Sequence, residues 1–531
     1  MIKSLYTLLF LAGVPIVVSA QSEYLSHPID IKHYSVTIEV SNENDKIQCS
    51  ETIDLKLERA CDSFFIDLQS YGPSGKGMEI SGPIKQGTES VEFNHTGNRI
   101  WIKPKSSWVG KDIQLSFGYE GVPETGLIMG KKKFEERTYF GDNWPNRAHH
   151  WFACVDHPSD KATVSFTVIS PAEYGCIATG TLKEETKLPS GKLQFVYKTE
   201  IELPTKVMVV GLADFKVKEL KSKLDFPITA WAYKQDAKNG FKDMKVAVDV
   251  VNYFIETIGT YPYEKLANVQ STTQYGGMEN AGNIFYDENA VKGDQSMEAL
   301  IAHEIAHQWF GNSASEQDWP HIWLSEGFAT YFTDLYWEHT YGTEAMNERL
   351  NGERNRVLSF GKRYDHPVVD VTYEKLTDLL NPHSYQKGAW VLHMLRNKVG
   401  DEAFFKGIRN YYDNYQFSNA TTYQFKKEME AASGEDLTQF FEQWLLQSGN
   451  PKLLFIQGEL SEKDVLIIRQ EGKLFHFDIE VLLTYDDGTS ETITINVDEE
   501  EESYVSQHNR RIISAVYDPN TKLLFEELGL R

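Results

Sequence analysis

Two hydrophobic periods alternate along this chain, and the places where one gives way to the other divide it into three parts. From His33 to about Asp225, apolar residues recur at every second position: Tyr34, Val36, Ile38 and Val40, then Ile53, Leu55 and Leu57. Side chains of a strand alternate between its two faces, so this spacing predicts half-buried strands. Breaks such as Gly72-Pro73-Ser74-Gly75 separate the runs. Near Phe241 the period lengthens. Met244, Val248, Val251, Ile255 and Ile258 recur at intervals of three and four, and Gly259 ends the amphipathic helix that this implies. Helical patterns continue to Leu446, over Met297–Phe310, Phe328–His339 and Tyr385–Lys398, until Gly449-Asn450-Pro451 closes them. Period two then returns, with Phe477, Ile479 and Val481 facing Ile493, Ile495 and Val497 across a turn at Asp486-Asp487-Gly488. The expected fold class is multidomain α+β. Its parts are an N-terminal β-domain over 21–222, a mixed, mostly helical domain over 223–450 and a small C-terminal β-sandwich over 451–531. No internal repeat is visible.

The first twenty residues belong to none of these parts. Lys3 precedes an apolar stretch, Leu5–Val18, and Val18-Ser19-Ala20 has the small residues of a cleavage site. The stretch is shorter than the roughly 20 apolar residues of a membrane-spanning helix. It therefore reads as a signal peptide, residues 1–20, and places the protein outside the cytoplasm, periplasmic or secreted, with no transmembrane anchor after its removal.

Composition adds exclusions. A formal charge of −24 without a basic run argues against nucleic acid, whose phosphates require clustered Lys and Arg. It suits a cationic ligand and serves solubility equally well. The acidic run Asp498–Glu502 lacks the glycine turn and ligand spacing of a calcium loop. Cys49, Cys61, Cys154 and Cys176 permit a Cys49–Cys61 bridge or remain buried thiols. His149, His150, Cys154 and His157 match no zinc spacing and read as packing or loop residues, as His383 does. Trp309, Trp319, Trp323 and Trp390 read as core.

The chemistry concentrates in His303-Glu304-Ile305-Ala306-His307. Residues four apart share a helix face, so both imidazoles reach one ion, while Glu304 lies about 100° round, where it can take a proton from water. Glu326 follows His307 after eighteen intervening residues and opens another helical pattern. Two His and one Glu complete a catalytic zinc set with one open position. Chance produces roughly 0.04 such His-Glu-x-x-His matches in a chain with this many His and Glu. Upstream lies Tyr275-Gly276-Gly277-Met278-Glu279-Asn280. Its glycines permit close backbone approach, as when a peptide joins a strand edge, and Glu279 offers a carboxylate to an ammonium.

Together these segments resemble the aminopeptidase N family of gluzincin zinc metallopeptidases, which includes leukotriene hydrolase. The likeness rests on the Gly-x-Met-Glu-Asn segment, on His303–Asn312, on Glu326-Gly327-Phe328-Ala329 and on Tyr385-Gln386-Lys387-Gly388. It implies a thermolysin-like catalytic α/β domain and one zinc per chain held by His303, His307 and Glu326. Glu304 becomes the general base and Tyr385 the oxyanion stabiliser. Substrate binding falls to Glu279, which holds the amine, with Gly276, Gly277, Met278 and Asn280. The implied function is hydrolysis of the N-terminal bond of peptides with a free α-amino group. There are departures. Gly277 stands where the family usually has Ala, a small-for-small exchange expected to matter little. Where a family Gln or Glu helps bind the amine, this chain offers Asp142 or Asn143. The large C-terminal helical domain of longer members is not in this sequence, which implies a more open cleft. An endopeptidase, an epoxide hydrolase and an inactive peptide-binding module are the competing readings. Glu279 speaks against the first, nothing selects for the second, and intact Glu304, His303, His307 and Glu326 speak against the third.

Overall fold

The period-two runs of the first two hundred residues pair into a nine-stranded sheet. The computed structural model describes residues 22–131, 133–460, 463–507 and 510–530; the signal segment expected at 1–20 lies outside them. At the sheet's centre β1 (Ile29–Glu39) pairs antiparallel with β2 (Ile47–Leu57), and β2 with β3 (Asp112–Val122). On its other side β1 runs parallel to β4 (Lys161–Ser170), which pairs with β5 (Leu193–Pro204). Tyr34, Val36 and Ile38 are buried on one face, as their alternation requires.

A second sheet, of five strands, carries the functional segments. It contains β6 (Phe215–Glu219), β7 (Ile228–Tyr233), β8 (Leu266–Ser271), β9 (Gly277–Met278) and β10 (Asn283–Asp287), in the order β6-β7-β8-β10-β9. β7, β8 and β10 are parallel, and helix α1 (Ala247–Thr257) lies on the β7–β8 crossover. The short β9 is antiparallel to β10 and forms the sheet's edge. The boundary expected at 222/223 falls in the β6–β7 connection, and β6 alternates like the earlier strands yet pairs with β7. Period alone does not say which sheet a strand joins.

Helices cover the lower half: α2 (Glu298–Ala306), α3 (Trp323–Tyr341), α4 (Thr343–Gly361), a π turn at His383–Lys387, α5 (Gly388–Val399) and α6 (Asp401–Tyr415). α3 is buried from Trp323 through Tyr336 and packs against α2, α4 and α5. α2 is shorter than the expected Met297–Phe310. After His307 the chain winds tightly to Gly311 (φ 111°), where an added Cβ would stand 2.1 Å from Ser325 Oγ. Only glycine fits there.

The C-terminal strands form two sheets. β11 (Lys452–Leu460), β12 (Lys463–Gln470) and their partners Glu501–Val505 and Glu526–Leu530 make one; Phe477–Tyr485, Ser490–Val497 and Ile512–Tyr517 make the other. Phe455 and Tyr517 stack between them, centroids 3.7 Å apart. Cys49, Cys61, Cys154 and Cys176 are all free thiols, so no Cys49–Cys61 bridge forms. Among the described residues no helix is long and apolar enough to cross a membrane.

Buried polar ties lock the N-terminal sheets to the helical part. Lys206 Nζ meets Glu316 Oε1 at 2.5 Å, with both side chains almost fully buried. Lys161 Nζ donates to the carbonyls of Ser313 and Ser418 at 2.7 Å each. Removing one partner of a buried pair strands the other charge, at a cost of about 3–5 kcal/mol, whereas replacing both by apolar groups is often neutral. Lys206→Met should therefore lower the denaturation midpoint clearly, and Lys206→Met with Glu316→Leu should recover most of the loss. Equal midpoints for the single variant and the wild type would refute this role.

Candidate metal centre and cleft

α2 and α3 cross so that one face of each meets the other. His303 and His307, one turn apart on α2, bring their Nε2 atoms to 3.2 Å of each other. Glu326, in the first turn of α3, places Oε2 at 3.4 Å from His303 Nε2 and 3.3 Å from His307 Nε2. That oxygen accepts no directed hydrogen bond. The three ligand atoms lie within 4.8 Å of one another. His307 Nδ1 lies 3.2 Å from the Phe310 carbonyl, which can only accept. Ser325 Oγ lies 3.1 Å from the same nitrogen, so both contacts orient the ring with Nε2 toward the cluster. The tight turn to Gly311 is what puts that carbonyl in reach.

The electrostatics call for a cation. Burial pushes the Glu304 carboxyl well above the usual range, and the carboxylates of Glu279 and Glu326 push the same way. Glu279 is raised by burial and by Glu326. Burial disfavours a His307 imidazolium, yet Glu326, Glu279 and Glu304 outweigh it and lift His307 to about 9. Burial lowers His303. Burial also opposes ionisation of Glu326, but the two histidines outweigh it and hold that carboxyl far below its ordinary value. Three buried carboxylates share one space that no Lys or Arg among the described residues lines, and a divalent ion meets that deficit. Two imidazole nitrogens and a carboxylate oxygen are a donor set that fits zinc.

The cleft above the trio is a cavity of about 240 Å³. Glu279, Gly276, Gly277 and Met278 line it from the β9 edge, Glu304 from α2 and Tyr385 from the π turn. Asn280 is buried with both side-chain amide atoms unpartnered and does not line the cavity. Two side chains from the helix side pin the β9 segment. Gln308 Nε2 donates to the Glu279 carbonyl at 2.8 Å and Asn312 Nδ2 to the same oxygen at 2.6 Å. Sequence reasoning passed over Gln308 and Asn312. Their signal was two amides in or next to an otherwise apolar buried run, Ile305–Phe310.

Tyr385 reaches the site because α3 and α5 nearly touch. A Cβ on Gly327 would stand 2.9 Å from Gly388 Cα, so two glycines permit a close crossing. The Tyr385 ring stacks on His303 at 6.0 Å and 8°. Burial raises its phenol well above 10, as do Glu326, Glu279 and Glu304, so it stays a donor. His383 packs edge-on against Phe360. His149, His150 and His157 disperse toward Asp156, Thr125 and Ser159 respectively and form no common centre. Trp309, Trp319, Trp323 and Trp390 are all core.

Asp142 and Asn143 do not reach the cleft. The Asp142 carboxylate accepts from Arg147, Thr273 Oγ1 and Gln274 N. Asn143 is consumed by the carbonyls of Thr205 and Met208 and by Trp151 Nε1. The neighbouring Trp144 lines the cavity instead.

The geometry agrees with kinship. Residues 31–207 match the Peptidase M1 N-terminal domain and residues 242–444 the Peptidase family M1 domain. The chain belongs to peptidase family M1. Its relatives include a probable aminopeptidase 2 of Sulfurisphaera tokodaii, 28% identical over 391 residues, covering 69% of this chain and 48% of that protein. Glutamyl aminopeptidase of Sus scrofa is 28% identical over 332 residues, covering 59% of this chain and 35% of that one. Aminopeptidase 2 of Candida albicans is 26% identical over 471 residues, covering 82% and 49%. The chain thus spans about a third to a half of the length of these curated relatives.

Gly277 lies close to the proposed base: a Cβ at 277 would stand 2.3 Å from Glu304 Oε1 and 2.6 Å from its Cδ, so an alanine there would require the end of the Glu304 side chain to shift. At Gly276 the nearest atom would be Leu300 Cδ1, at an ordinary 3.7 Å. Crystal structures of the two alanine variants should show the Glu304 carboxylate displaced in Gly277→Ala and unmoved in Gly276→Ala. An unmoved Glu304 in both would show that the strand, not the side chain, yields.

Proposed function

We propose that this chain is an exported zinc-dependent aminopeptidase that removes single residues from peptides with a free α-amino end. The observation that carries the reading is Glu279. Its buried carboxylate lies at the edge strand, in the same cavity as the three ligand atoms, with Oε1 unpartnered. A peptide laid along β9 presents its ammonium to that carboxylate and its first carbonyl to the ligand trio. The family membership and the aminopeptidases among the relatives support the activity. The charged, apolar and small-residue pattern of residues 1–20 supports export, to the periplasm or medium.

His303, His307 and Glu326 hold the metal, about one zinc per chain by that donor count. When bound, the zinc supplies Lewis acidity, polarising the carbonyl and acidifying water. Glu304 takes a proton from the attacking water and passes it to the leaving amine. Its depressed acidity, from burial and from Glu279 and Glu326, suits both halves of that exchange. Tyr385, kept protonated, donates to the oxygen on which negative charge develops. Glu279 fixes the amino end and so chooses which carbonyl is attacked.

Two predictions follow from these roles. Glu304→Gln should retain its zinc and lose about 10²–10⁴-fold in kcat, since Gln accepts no proton. Tyr385→Phe should retain zinc and lose roughly 10²–10³-fold, the value of one oxyanion donor. Near-normal kcat in both, with metal content verified, would refute the assignment.

A peptide and its N-acetyl derivative differ chiefly in the charge at one end. The free peptide should shorten one residue at a time and the acetylated one should resist. Glu279→Ala should reduce kcat/KM on the free peptide by about 10–150-fold, the worth of a charge-assisted contact of roughly 1.5–3 kcal/mol. If mass spectrometry finds equal cutting of both peptides, or first cuts inside the chain, the protein is an endopeptidase.

A further inference from the structure

The cleft is walled in part by a large aromatic side chain to which no role has yet been given. Trp144 lines the same cavity as Glu279 and is only 3% exposed. The two preceding residues, Asp142 and Asn143, are tied into their own hydrogen bonds and turn away. The indole is held by packing: Trp319 meets it edge-on at 6.0 Å and 69°, while its Nε1 has no hydrogen-bond partner. Its backbone is anchored separately, the Trp144 carbonyl accepting from Arg147 Nε at 2.9 Å.

This ring already attracts one cation. Lys206 Nζ lies 5.8 Å from its centroid, within the range where an ammonium feels the ring quadrupole. That lysine is paired with Glu316 at 2.5 Å, and its pull on Glu279 is a lesser effect than the burial that pushes that carboxyl up. The cavity is lined by acidic groups and by aromatic side chains, of which the Trp144 indole is the strongest partner for a cation. Carboxylate plus indole is a recognition pair for an ammonium ion: the first supplies charge, the second supplies attraction without hydration.

We propose that Trp144 contacts the substrate's α-ammonium, its ring supplying a cation–π contact beside the Glu279 carboxylate. This deepens the aminopeptidase reading and rests on it. Trp144 does the work that Asp142 or Asn143 was expected to do. It favours amines through ring electrons rather than through a hydrogen-bond acceptor, so its contribution falls as the aromatic ring is made smaller and vanishes with an aliphatic side chain.

The test uses two ligands that differ only at the amine. Leucine hydroxamate and 4-methylpentanohydroxamate share a zinc-chelating group and an isobutyl side chain, suited to cavity walls that include Leu300 and Leu380. Their affinities for the zinc-loaded full chain are measured by calorimetry in wild type, Trp144→Phe and Trp144→Leu. Leucine hydroxamate should bind roughly 2–30-fold more weakly to Trp144→Leu, with Trp144→Phe between, while the des-amino ligand changes by less than about twofold. If Trp144→Leu does not fold, Trp144→Phe alone must show the amine-specific loss. A parallel loss for both ligands, or an undiminished preference for the amine, overturns the proposal and leaves the aminopeptidase reading intact. Equal binding of the two ligands by the wild type overturns both.

Discussion

The whole arrangement depends on an excess of buried negative charge at the crossing of α2 and α3. Glu279, Glu304 and Glu326 are each nearly inaccessible, and among the described residues no Lys or Arg lines their common cavity. Buried carboxylates at close quarters are costly unless cations join them. In the proposed function two cations would resolve the conflict in different places, a divalent ion at His303, His307 and Glu326 and the ammonium of a substrate at Glu279. Binding of the second would be favoured by the same deficit that holds the first.

Such a site is useful only if its parts are fixed, and the fixing comes from the surrounding backbone rather than from the ligands themselves. Gln308 and Asn312 hold the Glu279 carbonyl, so the segment that carries His303 and His307 also sets the edge strand beside Glu279. Gly311 turns the Phe310 carbonyl onto His307 Nδ1 and so helps to orient that ring. Gly327 and Gly388 let α5 approach α3 closely enough for the π turn to deliver Tyr385. Gly277 leaves room for Glu304. In each case a contact missing a methyl group or containing one amide sets the distance on which chemistry depends.

The N-terminal sheets supply more than cover. Trp144 enters the cleft from that side, and the Lys206–Glu316 pair and the Lys161 carbonyl contacts bind the two halves together behind it. Movement between the halves would open the amine end of the cleft and expose a buried ion pair at once, so the ties also guard the geometry of the pocket.

Much of this was legible in the amino-acid sequence because it is local. His303, Glu304 and His307 share a helix face through the 3.6-residue period, and strand alternation and the Asp486-Asp487-Gly488 turn follow from single-residue geometry. The ligand trio needed only one further element, since Glu326 opens the helix that follows. Tertiary structure alone decided the rest. Whether β6 joins the first sheet or the second depends on which edge it meets, and a period of two is the same in both. Whether Gly277 matters depends on Glu304, twenty-seven residues away in the chain. That Trp144 rather than Asp142 or Asn143 lines the cavity was decided by Arg147, Thr205, Met208 and Thr273, which satisfy the two polar side chains elsewhere. A pattern along the chain reports which way a side chain leaves its own backbone; what it meets there is set by elements that the pattern does not contain.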